Sequence, residues 1–133
     1  LVDFCRQAIE DCSDKSDSTG ITLIEGVGGV MVPLTQTHTV LDWITELNIP
    51  SIIVVGSYLG TLSHTLTAVA ALQARNLPIR GVVISESADN TIPLTETAIS
   101  LTRFLPGLPI HTLNRAPMSD QAASSLLKLL TDI

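Results

Sequence analysis

Leu1, Cys5, Ala8, Ile9 and Cys12 recur at the spacing of one helix face, so a helical pattern is running from the first residue. Residues 13–20 are polar and rich in Ser and Asp, which predicts a loop. Four short apolar runs, mostly β-branched, follow at 21–24, 52–55, 82–84 and 109–113, and each gives way to a turn and then to helical spacing. Val40, Trp43, Ile44 and Leu47 share a helix face, with Thr39 and Asp42 at the spacing of a capping-box variant. Leu62, Leu66 and Val69 mark a longer helix ending near Arg75 and Asn76. Leu94, Ala98, Leu101 and Leu105 mark another, opened near Pro93 and stopped by Pro106 and Gly107. Ala123, Leu126, Leu127 and Leu130 mark the last, with Ser119 as its expected N-cap. Pro50, Pro78 and Pro109 stand at strand entrances, where a missing N–H is tolerated. Strands alternating with helices, joined by connections long enough for crossovers, predict an α/β fold: a parallel sheet of about four strands with helices on both faces.

Composition sharpens this picture. Hydrophobic residues are 45% of the chain and charged residues 15%, a ratio that suits a sheet covered on both sides. The 133 residues fit one domain, taken as 1–133. No apolar run approaches the ~18 residues that span a bilayer, and Leu1 opens no signal-peptide pattern. The expectation is a soluble, cytoplasmic protein without membrane partners. Net charge is −6, the seven basic residues are scattered, and aromatics are 3%, which excludes a nucleic-acid partner. Cys5 and Cys12 lie seven apart on the helical stripe, so their Cα atoms are about 10.5 Å apart. A disulfide tolerates at most about 7 Å. Both are expected to be buried, reduced core residues, in keeping with a reducing compartment.

Two turns follow predicted strands at the sheet edge where parallel α/β folds bind ligands. Glu25-Gly26-Val27-Gly28-Gly29 begins like a dinucleotide fingerprint, but Met31 stands where the third glycine belongs and Pro33 follows instead of a helix. What remains is a carboxylate ahead of glycine-rich amides, able to hold Mg²⁺ and oxyanions, although alone it reads more simply as a tight turn with a solvated Glu. Gly56-Ser57-Tyr58-Leu59-Gly60 leads into a helix start, where free N–H groups favour an anion. Ordinary strand-to-helix punctuation is again the simpler reading in isolation. Ser63 and His64 lack the G-x-S-x-G elbow, and adjacent helical residues point apart, so a capping or packing role for His64 is expected. His38 and His111 have no companions at zinc-ligand spacing.

Taken in order, the segment from Glu25 to Leu34, then Asp42-Trp43, Val54-Val55-Gly56, Leu59-Gly60, the run from Ser63 to Thr67, and the run from Leu77 to Ile84 closely resemble the dethiobiotin synthases. These are ATP-dependent cyclo-ligases of biotin biosynthesis in the P-loop ATPase superfamily. The likeness covers nearly the whole chain and is strongest from Glu25 to Glu86. It implies a partial P-loop NTPase-like fold and ring closure of 7,8-diaminononanoate with CO2. In that reaction a carbamate forms on one amine, ATP phosphorylates it, and the second amine displaces phosphate. The resemblance further implies Mg²⁺ as cofactor, ATP as co-substrate and a homodimer. Glu25 would be a Mg²⁺ ligand, and the amides of Val27, Gly28 and Gly29 would lie near the substrate and the transferring phosphoryl group. Leu59, Gly60, Thr61 and Ser63 would bind the substrate carboxylate across the dimer interface.

The chain departs from that family in three places. The motif G-x-x-x-x-G-K-S/T is absent, and the only lysines are Lys15 and Lys128. The resemblance therefore implies the C-terminal part of the enzyme, inactive alone and with no catalytic residue assigned. Ser85 stands where the family reads adenine with Asn, a side chain with two donors where serine has one. The later base-contacting loop matches poorly over 112–117. A non-catalytic, P-loop-less binding or dimerisation module is the alternative. Cobyrinate-amidase-type ligases share the sheet, but the segment from Leu59 to His64 argues against them.

Overall fold

The computed structural model of the chain describes residues 1–13, 21–88, 92–115 and 120–131. The chain forms two compact units, Leu1–Ile49 and Pro50–Ile133. The expected loop over 14–20 and the expected cap at Ser119 lie outside the described residues.

In the first unit, helix α1 (Val2–Ser13) packs against helix α2 (Val40–Leu47). The start of α2 leaves none of its first four N–H groups unused, although such groups have no partner within a helix. Val40 and Leu41 donate to the carbonyls of Val32 and Val30 at 2.9 and 2.7 Å, and Trp43 makes the first helical bond, to Thr39 O at 3.2 Å. Asp42 donates to Thr39 Oγ1 at 3.4 Å while its carboxylate accepts from the Thr39 amide at 2.8 Å, completing the capping box. Asn48, in the left-handed region at φ 50°, closes the other end by donating to Ile44 O. Thr39→Ala is expected to cost about 1 kcal/mol in denaturant unfolding, with Thr39→Ser close to the parent. Equal losses in the two variants would show that the hydroxyl is not what holds the helix start.

Two expectations fail in this unit. Residues 21–24 form no strand, and Ile21 and Leu23 are exposed. A β-branched run becomes a strand only where a neighbour pairs its backbone, and residues 21–26 have no ladder partner among the described residues. Cys5 is buried, but Cys12 is exposed, and both thiols are free. Twelve residues of α1 run about 18 Å and eight of α2 only about 12 Å, so the last turn of α1 outreaches its neighbour.

The second unit holds a three-stranded parallel sheet, one strand fewer than expected, in the order β1 (Ser51–Gly56), β2 (Ile79–Ser85), β3 (Ile110–Leu113). Pro50, Pro78 and Pro109 each immediately precede a strand, as their missing N–H predicts. Helices α3 (Thr61–Ala74) and α4 (Leu94–Phe104) make the two crossovers and cover one face. There Val69 and Leu101 close over Val82 and Ile84, joined by Leu94 and Leu105. Gly81 points to the opposite face. A Cβ on it would come within 2.9 Å of Leu129 Cδ1, which places helix α5 (Asp120–Thr131) on that side. Leu129 is accordingly the buried residue of α5, whereas Leu127, expected on the packed stripe, is exposed. The missing side chain at Gly81 leaves room for Leu129, so the contact falls there rather than on Leu127 of the expected stripe. The same face of β1 is uncovered at Val54, which is 68% exposed. None of the described helices is long and apolar enough to cross a membrane.

Candidate ligand site at the strand ends

In parallel sheets the carboxyl ends of neighbouring strands lie side by side, and in the second unit Gly56 of β1 pairs with Ser85 of β2 in register. The loops leaving these two strands are tied together. Ser57, 2% exposed, donates its amide to Ser87 Oγ at 3.1 Å, and the Ser87 amide donates to Ser57 Oγ at 2.9 Å. A side chain at Gly56 would collide with this pair, its Cβ lying 2.7 Å from Ser87 Oγ. Glu86 continues the edge by donating its amide to Leu113 O and accepting from the Arg115 amide at 2.8 Å.

The turn from Gly56 to Gly60 is held by its own side chains. Thr61, buried, donates its hydroxyl to Gly56 O at 2.6 Å and its amide to Tyr58 O. Tyr58 Oη and His64 Nδ1 are 2.9 Å apart, and the two rings sit 5.7 Å centre to centre. His64 thus packs on the tyrosine, as the missing nucleophile elbow led one to expect, and its Nδ1 is engaged away from Ser63. Gly60 adopts φ 96°, a conformation glycine takes without steric penalty. Beyond it, α3 opens differently from α2. The amides of Leu62 and Ser63 have no acceptor among the described residues. Ser63 and Leu59 are exposed beside them, and no side chain among the described residues caps this helix start. The result is a concentration of partial positive charge from two N–H groups and the helix dipole, with a hydroxyl alongside: an arrangement that takes a carboxylate or another compact anion.

The first unit carries the other turn. Glu25 is exposed, and Val27, Gly28 and Gly29 form an open loop, with Val27 80% exposed and the glycines at φ 86° and 108°. The amides of these three residues have no acceptor among the described residues. Val32 donates to Gly29 O at 3.2 Å, which turns the chain back toward the start of α2. A side chain at Gly28 would meet Val32 Cγ2 at 2.9 Å. Glu25 makes no hydrogen bond or ion pair within the described residues, so its carboxylate retains full capacity for a hard cation. One carboxylate suits Mg²⁺, which keeps several waters and shares its shell with phosphate oxygens.

The structure therefore joins Leu59, Gly60, Thr61 and Ser63 in one turn with Ser85 on the neighbouring strand end, and places Glu25, Val27, Gly28 and Gly29 together in the other unit. Ser87 escaped the reading of the sequence, and Ser57 and Tyr58 entered it only as members of the turn, with no bond assigned to either. Serines in turns are ordinary turn formers, and nothing local signals a bond between residues thirty positions apart.

A family model described as an AAA domain matches residues 5–121. Among curated proteins, the chain is 48% identical over 109 residues to an ATP-dependent dethiobiotin synthetase of Acidiphilium cryptum, covering 82% of this chain and 46% of that protein. It is 49% identical over 123 residues to one from a Caulobacter species, covering 92% of this chain and 52% of that protein. For Phenylobacterium zucineum the identity is 46%, over 77% of this chain and 43% of the relative. The chain spans about half the length of the curated relatives it matches.

Proposed function

We propose, since the chain belongs to the dethiobiotin synthase family of P-loop ATPases, that it contributes part of the ligand-binding machinery of an ATP- and Mg²⁺-dependent ligase of biotin biosynthesis. Its substrates would be 7,8-diaminononanoate, CO2 and ATP, its setting the cytoplasm and its working state a homodimer, with residues 1–133 an incomplete domain of the enzyme. The observation that carries this reading is the start of α3, where Leu62 and Ser63 offer unpaired amides beside the Ser63 hydroxyl. That is the chemistry needed for the carboxylate of a long aliphatic diamino acid.

The residues divide the work. Leu59 and Gly60 bring backbone close to the carboxylate, and Ser63 adds a hydroxyl donor. Thr61 keeps the turn in shape through its bond to Gly56 O. Holding one end of an extended substrate fixes where its two amines lie, and ring closure gains chiefly from such positioning. Glu25 would hold Mg²⁺, which when bound draws charge from the phosphoryl oxygens. The amides of Val27, Gly28 and Gly29 would donate to those oxygens. Ser85, one hydroxyl at the end of β2, offers the nucleotide base a single donor in place of an amide's two. Selection of adenine by this position is accordingly weaker than by asparagine.

The sequence carries no G-x-x-x-x-G-K-S/T motif, the loop that cradles the β- and γ-phosphates. The purified chain is therefore expected to show no ATP-dependent ring closure, while diaminononanoate raises its melting temperature. Turnover by the chain that disappears in Glu25→Gln would overturn the first expectation. Stable oligomers with no thermal response to diaminononanoate or Mg-ATP would instead favour a non-catalytic dimerisation module, the second reading that the missing motif supports.

A further inference from the structure

At the amino end of the strands of the second unit, opposite the turn that follows β1, α5 overhangs β2 and β3. A groove of about 410 Å³ opens there, lined by Arg80, Pro109, His111, Ser125, Lys128 and Leu129. Its charge is unusual for this chain. The net charge is −6 with only seven lysines and arginines, yet two of those seven line one groove, with a histidine and a serine and no acidic residue among the described lining. The guanidinium of Arg80 is fixed in place: its Nη1 donates to the carbonyls of Leu129 and Leu130 at 3.3 and 3.0 Å, where the end of α5 presents oxygens without helical partners. Ser125 Oγ lies 2.7 Å from His111 Nδ1, which orients the imidazole. Lys128, exposed in the last turn of α5, adds a mobile ammonium at the rim. Pro109 and Leu129 supply an apolar floor.

We propose that this groove is a binding site for a small organic oxyanion, a phosphate monoester whose apolar body lies on Pro109 and Leu129 while Lys128, Arg80 and the His111–Ser125 pair take the charge. The volume is within the range of sites for small organic ligands. Fixed and mobile cations together suit phosphate, which accepts from several donors at once.

Phenyl phosphate is the direct probe. Titrated into the isotope-labelled chain and followed by nuclear magnetic resonance, it is expected to shift the signals of Arg80, His111 and Ser125 saturably. Lys128→Gln should weaken binding by about tenfold, the scale of one charge-assisted hydrogen bond. Arg103→Gln, on the last turn of α4, should leave it unchanged, and inorganic phosphate should bind less tightly because it makes no use of the floor. Absence of saturable shifts, an equal loss in Arg103→Gln, or inorganic phosphate binding as tightly as phenyl phosphate would each overturn the proposal. Lys128 and Arg103 are both exposed, so neither variant threatens the fold.

Discussion

Leu101→Ala is expected to unfold the second unit more readily by about 2–5 kcal/mol, the range for removing a fully buried leucine from a core that collapses only partly around the gap. Leu101 has no exposed surface and lies in the cluster where α3 and α4 meet the sheet, against Val69, Val82, Ile84, Leu94 and Leu105. A domain's whole stability is about 5–15 kcal/mol, so this one change removes a large fraction. Ile99, on the same helix, is 47% exposed, and Ile99→Ala should cost much less. Urea unfolding distinguishes the outcomes: the midpoint should fall steeply for Leu101→Ala with the slope unchanged. Similar midpoints for the two variants would mean that α4 does not seal the core as described.

Gly60→Val is expected to reduce the affinity for diaminononanoate by at least about tenfold, the equivalent of roughly 1.4 kcal/mol. Space is not the obstacle, since a Cβ at Gly60 would meet only His64 Cε1 at 3.7 Å and Nε2 at 3.9 Å, ordinary contacts. The obstacle is φ 96°, where a β-branched residue carries a penalty of about 1–2 kcal/mol or more. Relaxing that strain rotates the peptide that precedes Leu62 and Ser63 and carries their amides off target. Gly107 provides the control. It too has a positive φ, 84°, and a Cβ added there would meet nothing within 4 Å, but it follows α4 rather than opening α3. Gly107→Val should therefore lower the melting temperature comparably while leaving the affinity intact. Equal affinity losses in both variants would show that the turn acts through stability alone.

The readable parts of this chain were those whose signals are local. The capping box at Thr39 and Asp42, the breaker pairs at Arg75-Asn76 and Pro106-Gly107, and the three prolines at strand entrances each act within a few residues, and each appears where expected. The run at 21–24 shows the limit: its side chains have strand character, but a strand is a relation between two segments, and no partner for it is among the described residues. Cys12 and Leu127 show another. Periodicity gives the direction of a face but not how far a neighbour extends along it, nor where a glycine such as Gly81 lets one residue in closer than the next. The turn after β1 was marked by its glycines and its place before a helix, which fit an anion site and ordinary strand-to-helix punctuation alike. The Ser57–Ser87 pair and the Tyr58–His64 contact that hold it depend on two loops, or on the first turn of a helix, meeting in space.

The strand order β1-β2-β3 bears on how the second unit assembles. Beyond the register shift at Ser51, Ile52 pairs with Gly81 and Val82 with Ile110, so the ladders close nearly the same sequence separation, 29 and 28 residues. The entropy lost in closing a loop depends on its length, and on that ground neither ladder forms ahead of the other. β2 is common to both. An intermediate holding either ladder must already have ordered Val82 to Ile84, and chain ordering is thereby concentrated in the strand that also supplies the centre of the core.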